Sequence, residues 1–140
     1  MADMNEFNRN LIAEFRANGG KVGGMFANSP LVILTTTGAK SGLPREIPLV
    51  YSTDGDRLVV IASKGGAPTH PDWYHNLVAN PDVRVELPGE TYQARAVIAE
   101  GEERDRLFDR QAAAMPNFAE YQRGTERRIP VMVLERVGEG

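Results

Sequence analysis

With 140 residues, of which 41% are hydrophobic and 25% charged, the chain is large enough for one hydrophobic core and too short for two ordinary ones. Its net charge of -3 argues against a general nucleic-acid binder, and no run approaches the ~18 apolar residues of a membrane-spanning helix. Cysteine is absent, which excludes disulfides, thiolate metal sites and a cysteine nucleophile; the N-terminus also lacks a signal peptide's apolar core, so a cytoplasmic protein is expected.

Residues 4–18 read as an amphipathic helix. Met4, Phe7, Leu11 and Phe15 recur at helical spacing with Ile12 beside them, and Asn5, Glu6, Arg9, Glu14 and Arg16 occupy the other faces. Asn18-Gly19-Gly20 is the stop signal, and the glycine-rich residues 19–29 form a flexible approach to the first strand. The helix is expected to pack on its own domain. The alternative is an arm that covers a ligand or rests on a membrane, but two arginines against two glutamates leave it no basic face. Residues 1–27 are thus taken as helix and arm, and 28–140 as the body of the fold.

The organising stretch is Leu31 to Tyr51. An apolar run (Leu31, Val32, Ile33, Leu34) passes into Thr35, Thr36 and Thr37, whose branched side chains favour extended backbone. Gly38-Ala39-Lys40-Ser41-Gly42 is too rich in small residues to continue the strand or to start a helix. After Pro44 and Arg45 the chain is extended again through Pro48 to Tyr51. Two strands therefore present a loop with a lysine, a serine and free backbone N–H groups, an arrangement suited to an anion.

Asp54-Gly55 is a hairpin signal, and Arg57 to Ser63 is a nearly continuous apolar strand that runs into Lys64-Gly65-Gly66, a second cation among glycines. Thr69-His70-Pro71-Asp72 opens a helix that carries Trp73, Tyr74, Leu77 and Val78 and stops at Asn80-Pro81. Residues 83–87 alternate as a half-buried strand, 91–99 form another, 101–115 a charged helix, 115–123 a proline-interrupted segment and 129–137 a last strand. The predicted fold is mainly β with flanking helices: six antiparallel strands in a closed or partly closed barrel, which removes exposed edges.

His70 and His75 are five apart, the wrong spacing for two ligands on one helix face, so no metal site is expected and both read as surface or capping residues. The loop does not satisfy G-x-x-x-x-G-K-[ST], and neither G-x-S-x-G nor G-x-G-x-x-G is present in a fitting context, which removes the ATPase, hydrolase and Rossmann readings. Lys40, Ser41, Arg45 and Lys64 remain as a set that could converge on phosphate or carboxylate groups, each charge-assisted bond contributing roughly 1.5–3 kcal/mol when partly buried. Solvated loop cations are the plainer alternative. Trp73 could equally flank a planar ring or fill the core.

Thr35-Thr36-Thr37-Gly38-Ala39-Lys40-Ser41-Gly42 with Pro44-Arg45 and Pro48-Leu49, Ala62-Ser63-Lys64-Gly65-Gly66, Pro71-Asp72-Trp73-Tyr74-His75-Asn76-Leu77, Asn80-Pro81, Tyr121-Gln122 and Arg128-Ile129-Pro130 together resemble the deazaflavin-dependent nitroreductase family, in order and over residues 28–136. The resemblance implies a split β-barrel akin to flavin-binding barrels, and coenzyme F420 as the redox cofactor. It implies Lys40, Arg45 and Lys64 on the phosphate and tail carboxylates, Ser41, Gly42 and Ser63 as hydrogen-bonding partners, and Pro48, Trp73 and Asn76 near the ring system. It further implies hydride transfer from reduced F420 to a quinone, an unsaturated lactone or a nitroaromatic small molecule.

One segment departs from the resemblance. Where nitroimidazole-reducing members are tyrosine-rich, this chain has Met115-Pro116-Asn117-Phe118-Ala119-Glu120-Tyr121, so Tyr121 is the candidate catalytic residue and flat apolar substrates are favoured over nitroimidazoles. Ala39 replaces a second cation of several relatives, which predicts lower affinity for the cofactor tail. Two alternatives stay open: a protein that binds F420 without catalysis, and a barrel enzyme that uses FMN. Either a monomer or a homodimer fits the resemblance.

Overall fold

A computed structural model describes residues 4–23, 30–63 and 70–137, apart from the side chains of Met4 and Asn5. Lys64, Gly65, Gly66 and Thr69, together with residues 24–29 of the approach to the first strand, lie outside the described residues. The elements are α1 (Met4–Ala17), β1 (Leu31–Thr37), β2 (Pro44–Asp54), β3 (Arg57–Ile61), α2 (Asp72–Ala79), β4 (Asp82–Leu87), β5 (Glu90–Ile98), α3 (Gly101–Ala114), α4 (Asn117–Arg123) and β6 (Val131–Arg136). The segment read as merely proline-interrupted contains a short helix, α4. Pro116 stands at its N-cap, where a missing N–H breaks no helical bond.

The six strands close as β1-β2-β3-β6-β5-β4 with every pair antiparallel. Gly55 and Gly89 turn the β2–β3 and β4–β5 hairpins at φ 65° and 75°, values that a side chain makes costly. Alternation then sorts the side chains. Val32, Leu34, Leu58, Val60, Val85 and Met132 fill the interior, and Trp73 and Leu77 of α2 pack into the same cluster. Outside, Val59, Ile61, Val131 and Val133 are covered by Leu107, Phe108 and Phe118 of α3 and α4. Leu31 and Ile33 are covered by Ile12 and Phe15 of α1.

Pairing along β2 is unequal. Residues 44–50 pair with β1, whereas only 51–54 pair with β3. Among the described residues the first half of β2 therefore has one edge without a strand partner, and from Ile47 to Val50 it is half-buried where β1 and β3 are largely buried. This is the split in the barrel.

α1 is held by more than its apolar side. Arg16 Nη2 donates to Glu86 Oε1 on β4 at 2.8 Å and also to Glu46 on β2, so one guanidinium spans the two strands that flank β1. These bonds raise the basicity of Arg16 and lower the pKa of Glu86. At the far end of β2, Arg106 and Arg57 hold the Asp54 carboxyl down to about 2.

Phe15→Ala is expected to cost about 3 kcal/mol in urea unfolding, because Phe15 is 3% exposed against the barrel. Amide exchange within residues 4–17 should quicken before that of the strands, because α1 docks through few contacts. The Asp54 pairing has a signed pH dependence: folded Asp54 titrates below its ordinary 3.8, so its contribution is full above that pH and is lost as pH falls toward about 2. In Asp54→Asn this part of the stability–pH curve should flatten, as read by urea titrations at several pH values.

Candidate active site

The loop between β1 and β2 is built from its own hydrogen bonds. Gly38 N–H donates to Leu43 O at 2.8 Å, Gly42 N–H to Gly38 O at 2.9 Å, and Leu43 N–H to Ser41 Oγ at 3.2 Å. Two glycines are required here. A Cβ at Gly38 would run into the Ser41 hydroxyl, and Gly42 lies at φ 71°. Asn76 of α2 clamps the loop from outside: its Oδ1 accepts from Ala39 N–H at 2.9 Å, and its Nδ2 donates to Thr36 Oγ1 at 3.2 Å.

The loop is thus less open than its sequence suggests. The N–H groups of Gly38, Ala39, Gly42 and Leu43 are engaged, and only those of Lys40 and Ser41 lack a partner among the described residues. Gly42 shapes the turn through its φ, its N–H being bound to Gly38. Lys40, Ser41 and Arg45 are exposed. Neither cation has an ion-pair partner among the described residues, a state shared with Arg9, Lys21, Arg84, Arg95 and Arg123, whereas Arg16, Arg57, Arg104, Arg106, Arg110, Arg128 and Arg136 all have one. Unneutralised charge beside the split is what an anionic ligand needs.

Ser63, half-buried, follows β3 and Ala62 and immediately precedes the segment that holds Lys64. Arg127, on the connection between α4 and β6, braces this edge. It donates to Ala62 O at 3.2 Å and Ser63 O at 2.7 Å, and its Nη1 lies 2.9 Å from His70 Nδ1. Ser63 and His70, on either side of residues 64–69 in the sequence, are therefore both held by one guanidinium. Sequence reading missed Arg127, since a single arginine in a polar stretch has no signal that distinguishes it. His70 also differs from expectation. It is half-buried, contacts Arg127 and stacks on Tyr74 with ring centroids 4.6 Å apart, whereas His75 is exposed. Burial, the Arg127 charge and then His75 push the His70 pKa down, so its ring is held neutral with Nδ1 as acceptor.

Trp73 is 6% exposed within the interior cluster and Pro48 is half-buried opposite Ile33, so Trp73 is a core aromatic and Pro48 lies on the split half of β2. Tyr121 lies on α4, half-buried against the outer cluster, with Phe118 edge-on at 5.6 Å. Its Oη accepts from Asn117 Nδ2 at 3.1 Å, which leaves the phenolic proton to be donated. Met115 packs on the same cluster, and Phe118, at 7% exposed, belongs to its core. On α3 Gln111, another residue without a sequence signal, is fully buried and accepts from Ser52 Oγ at 2.8 Å.

An open cleft of about 410 Å³ lies elsewhere, lined by His70, Tyr74, Ile98, Glu100, Arg128 and Pro130 among others. It includes none of the sequence-implied ligands, and the Arg104 and Arg128 guanidiniums beside it are already paired with Asp105. The chemistry points to the β2 split.

A family model described as F420H(2)-dependent quinone reductase matches residues 7–136. An F420H(2)-dependent quinone reductase of Mycobacterium tuberculosis is 39% identical over 128 residues, 89% of this chain and 86% of the relative. Among solved structures, an F420-H2 dependent reductase, FDR-A, is 44% identical with a TM-score of 0.71, covering 76% of this chain and 94% of that one. A chain solved as a domain-swapped dimer is 37% identical with a TM-score of 0.73, covering 95% of this chain and all of the other (100%).

Asn76→Ala removes two hydrogen bonds that hold the loop. The expected loss is about 1–2 kcal/mol in stability, with exchange of the Ala39 amide accelerated tenfold or more, read by hydrogen-exchange NMR.

Proposed function

The chain belongs to the F420H(2)-dependent quinone reductase family, and from that premise we propose that it grips reduced F420 along the split edge of β2 and reduces flat electrophilic acceptors, quinones foremost and conjugated lactones or enones besides. The observation that carries the site assignment is the pair of cations without ion-pair partners among the described residues, Lys40 on a loop held by its own hydrogen bonds and by Asn76, and Arg45 at the start of β2 where that loop ends. This is a fitting receptor for a phosphate and a carboxylate tail. Bound reduced F420 supplies the hydride.

The chain's own residues do the rest. Lys40 and Arg45 hold the anionic handle, joined by Lys64, while the N–H groups of Lys40 and Ser41 and the Ser41 hydroxyl add donors. Asn76 keeps the loop in register with α2, and Trp73, fixed in the core, anchors the helix that carries Asn76. Pro48 and Ser63 flank the split, and Arg127 holds the Ser63 side in place. Tyr121 donates a hydrogen bond or proton to the acceptor, and Met115 beside it offers an apolar wall that favours quinones over nitroimidazoles. No helix among the described residues is long and apolar enough to cross a membrane, and Leu11, Ile12 and Phe15 of α1 are turned onto the barrel while Phe7 is exposed. We place the protein in the cytoplasm, as a monomer or a homodimer.

The deciding measurement is a titration with F420 beside FMN. Wild-type protein should bind F420 in preference to FMN, and Lys40→Ala and Arg45→Ala should each weaken F420 binding by about tenfold or more, the equivalent of one charge-assisted bond. Unaltered affinity in both variants would remove the site assignment. F420 binding without faster oxidation of F420H2 by menadione would make the protein a carrier. Tyr121→Phe should lower menadione turnover about tenfold with F420 affinity kept, and an unchanged rate would strike Tyr121 from the mechanism.

A further inference from the structure

α2 is tied to both sides of the proposed cofactor site. At its middle, Asn76 holds the β1–β2 loop through Ala39 N–H and Thr36 Oγ1. His70 stands just before the helix, ahead of Pro71, the extended N-cap residue. The His70 ring stacks on Tyr74 with centroids 4.6 Å apart and meets His75 edge-on at 6.0 Å. Its Nδ1 lies 2.9 Å from Arg127 Nη1, and the same guanidinium donates to Ala62 O and Ser63 O. Ser63 is therefore positioned from α2 through one intermediate group.

That contact carries a condition. A guanidinium stays protonated and has only donors, so the ring nitrogen that faces it must keep a lone pair. A neutral imidazole with its proton on Nε2 meets this. Protonated His70 would turn one N–H toward another and bring two positive charges within hydrogen-bonding distance. The surroundings offer little relief. Arg127 and Arg128 come from the connection between α4 and β6, Glu100 and Arg104 from the start of α3, and Tyr74 and His75 from α2. Among the described residues that line the cleft beside the ring, Glu100 is the one acid. Burial, then Arg127, then His75 push the ring's pKa below its ordinary 6.5. An asparagine here would accept the same bond at every pH. Histidine makes the bond conditional.

We propose that His70 is a positioning residue for the cofactor: its neutral ring holds Arg127 against the Ser63 carbonyl, and a proton taken up by the ring releases that edge and loosens the grip on F420. This rests on the reading of the chain as an F420 binder with Ser63 at the site. Through Asn76 and His70, one helix sets the β1–β2 loop and the Ser63 edge relative to each other. Protonation leaves the Asn76 contacts intact and breaks the His70 contact, while Lys40 and Arg45 keep their share of the affinity. The loss is therefore graded, about tenfold and not complete. Its sign is fixed: the grip is full above the folded His70 pKa and weakens as pH falls through it.

The test follows F420 affinity from about pH 7.5 to about pH 5.5, beside NMR titration of the histidine rings. At the upper pH, ¹⁵N shifts should show His70 with Nδ1 bare and Nε2 protonated. The ring should titrate below 6.5, and the Ala62 and Ser63 amides should move with the same midpoint. Wild-type affinity should fall about tenfold with that midpoint. His70→Phe keeps a ring on Tyr74 and offers no acceptor, so it should bind about tenfold more weakly throughout. His70→Asn places a carboxamide oxygen where Nδ1 stood; it should restore affinity at the upper pH to within about threefold of wild type and flatten the profile. Any titration of F420 itself is common to both proteins and drops out of the comparison. Parallel profiles in wild type and His70→Asn, a proton on Nδ1 at the upper pH, or a midpoint that follows His75 overturn the proposal. Should neither variant fold, coincidence of the F420 midpoint with that of His70 supports it, and coincidence with that of His75 overturns it. A wild-type protein that binds no F420 at the upper pH overturns the cofactor reading and this proposal with it, whereas binding that ignores His70 overturns this proposal alone.

Discussion

The arrangement of this molecule depends on β2 being longer than its partner. An antiparallel barrel satisfies backbone groups by pairing each strand on both sides, whereas among the described residues β2 hands over from one partner to the other, pairing with β1 through 44–50 and with β3 through 51–54. Its first half is paired on one side alone, which would be a liability in a strand placed there for stability. The chain surrounds that gap with the β1–β2 loop, with Ser63 and with Arg127, so an edge that could recruit another strand is flanked by cations and ordered loops. On the function proposed above, the same incompleteness that lowers the barrel's self-sufficiency is where a long ligand with a charged end would lie.

Around that gap the structure divides its labour between stiff and soft parts. The barrel interior and the layer under α3 are apolar and nearly fully buried. The charged contacts sit outside: Arg16 between two strands, Asp54 among arginines, Arg136 on Glu90. Such exposed pairs each contribute little in solution, about 0–1 kcal/mol, and matter chiefly as orientation. Arg16 is the exception in kind, because one planar group bridges two different strands and so fixes where α1 lies.

Much of this was legible in the amino-acid order, for identifiable reasons. β-branched runs bounded by glycine and proline marked the strands, the Asp54-Gly55 turn marked a hairpin, and the resemblance carried by Thr35 to Gly42 led to the family. Local pattern could not supply contacts between residues far apart in sequence. His70 reads as surface until Arg127, 57 positions away, is brought to it, and Gln111 reads as one more polar helix residue until Ser52 meets it from 59 positions away. The loop N–H groups were over-counted for a related reason: Asn76 comes from another element to occupy one of them. α4 escaped because a seven-residue helix behind a proline has too few turns to show periodicity.

Arg127 also bears on how relatives of this protein could vary. It grips the backbone at Ala62 and Ser63 and the ring of His70, so one guanidinium joins the end of the β3 segment to the approach to α2. Its carbonyl contacts recognise main chain and place no demand on side-chain identity. Side chains at positions 62 and 63 can therefore change, and with them what that edge shows to a ligand, while the main-chain contact and the barrel beneath are kept.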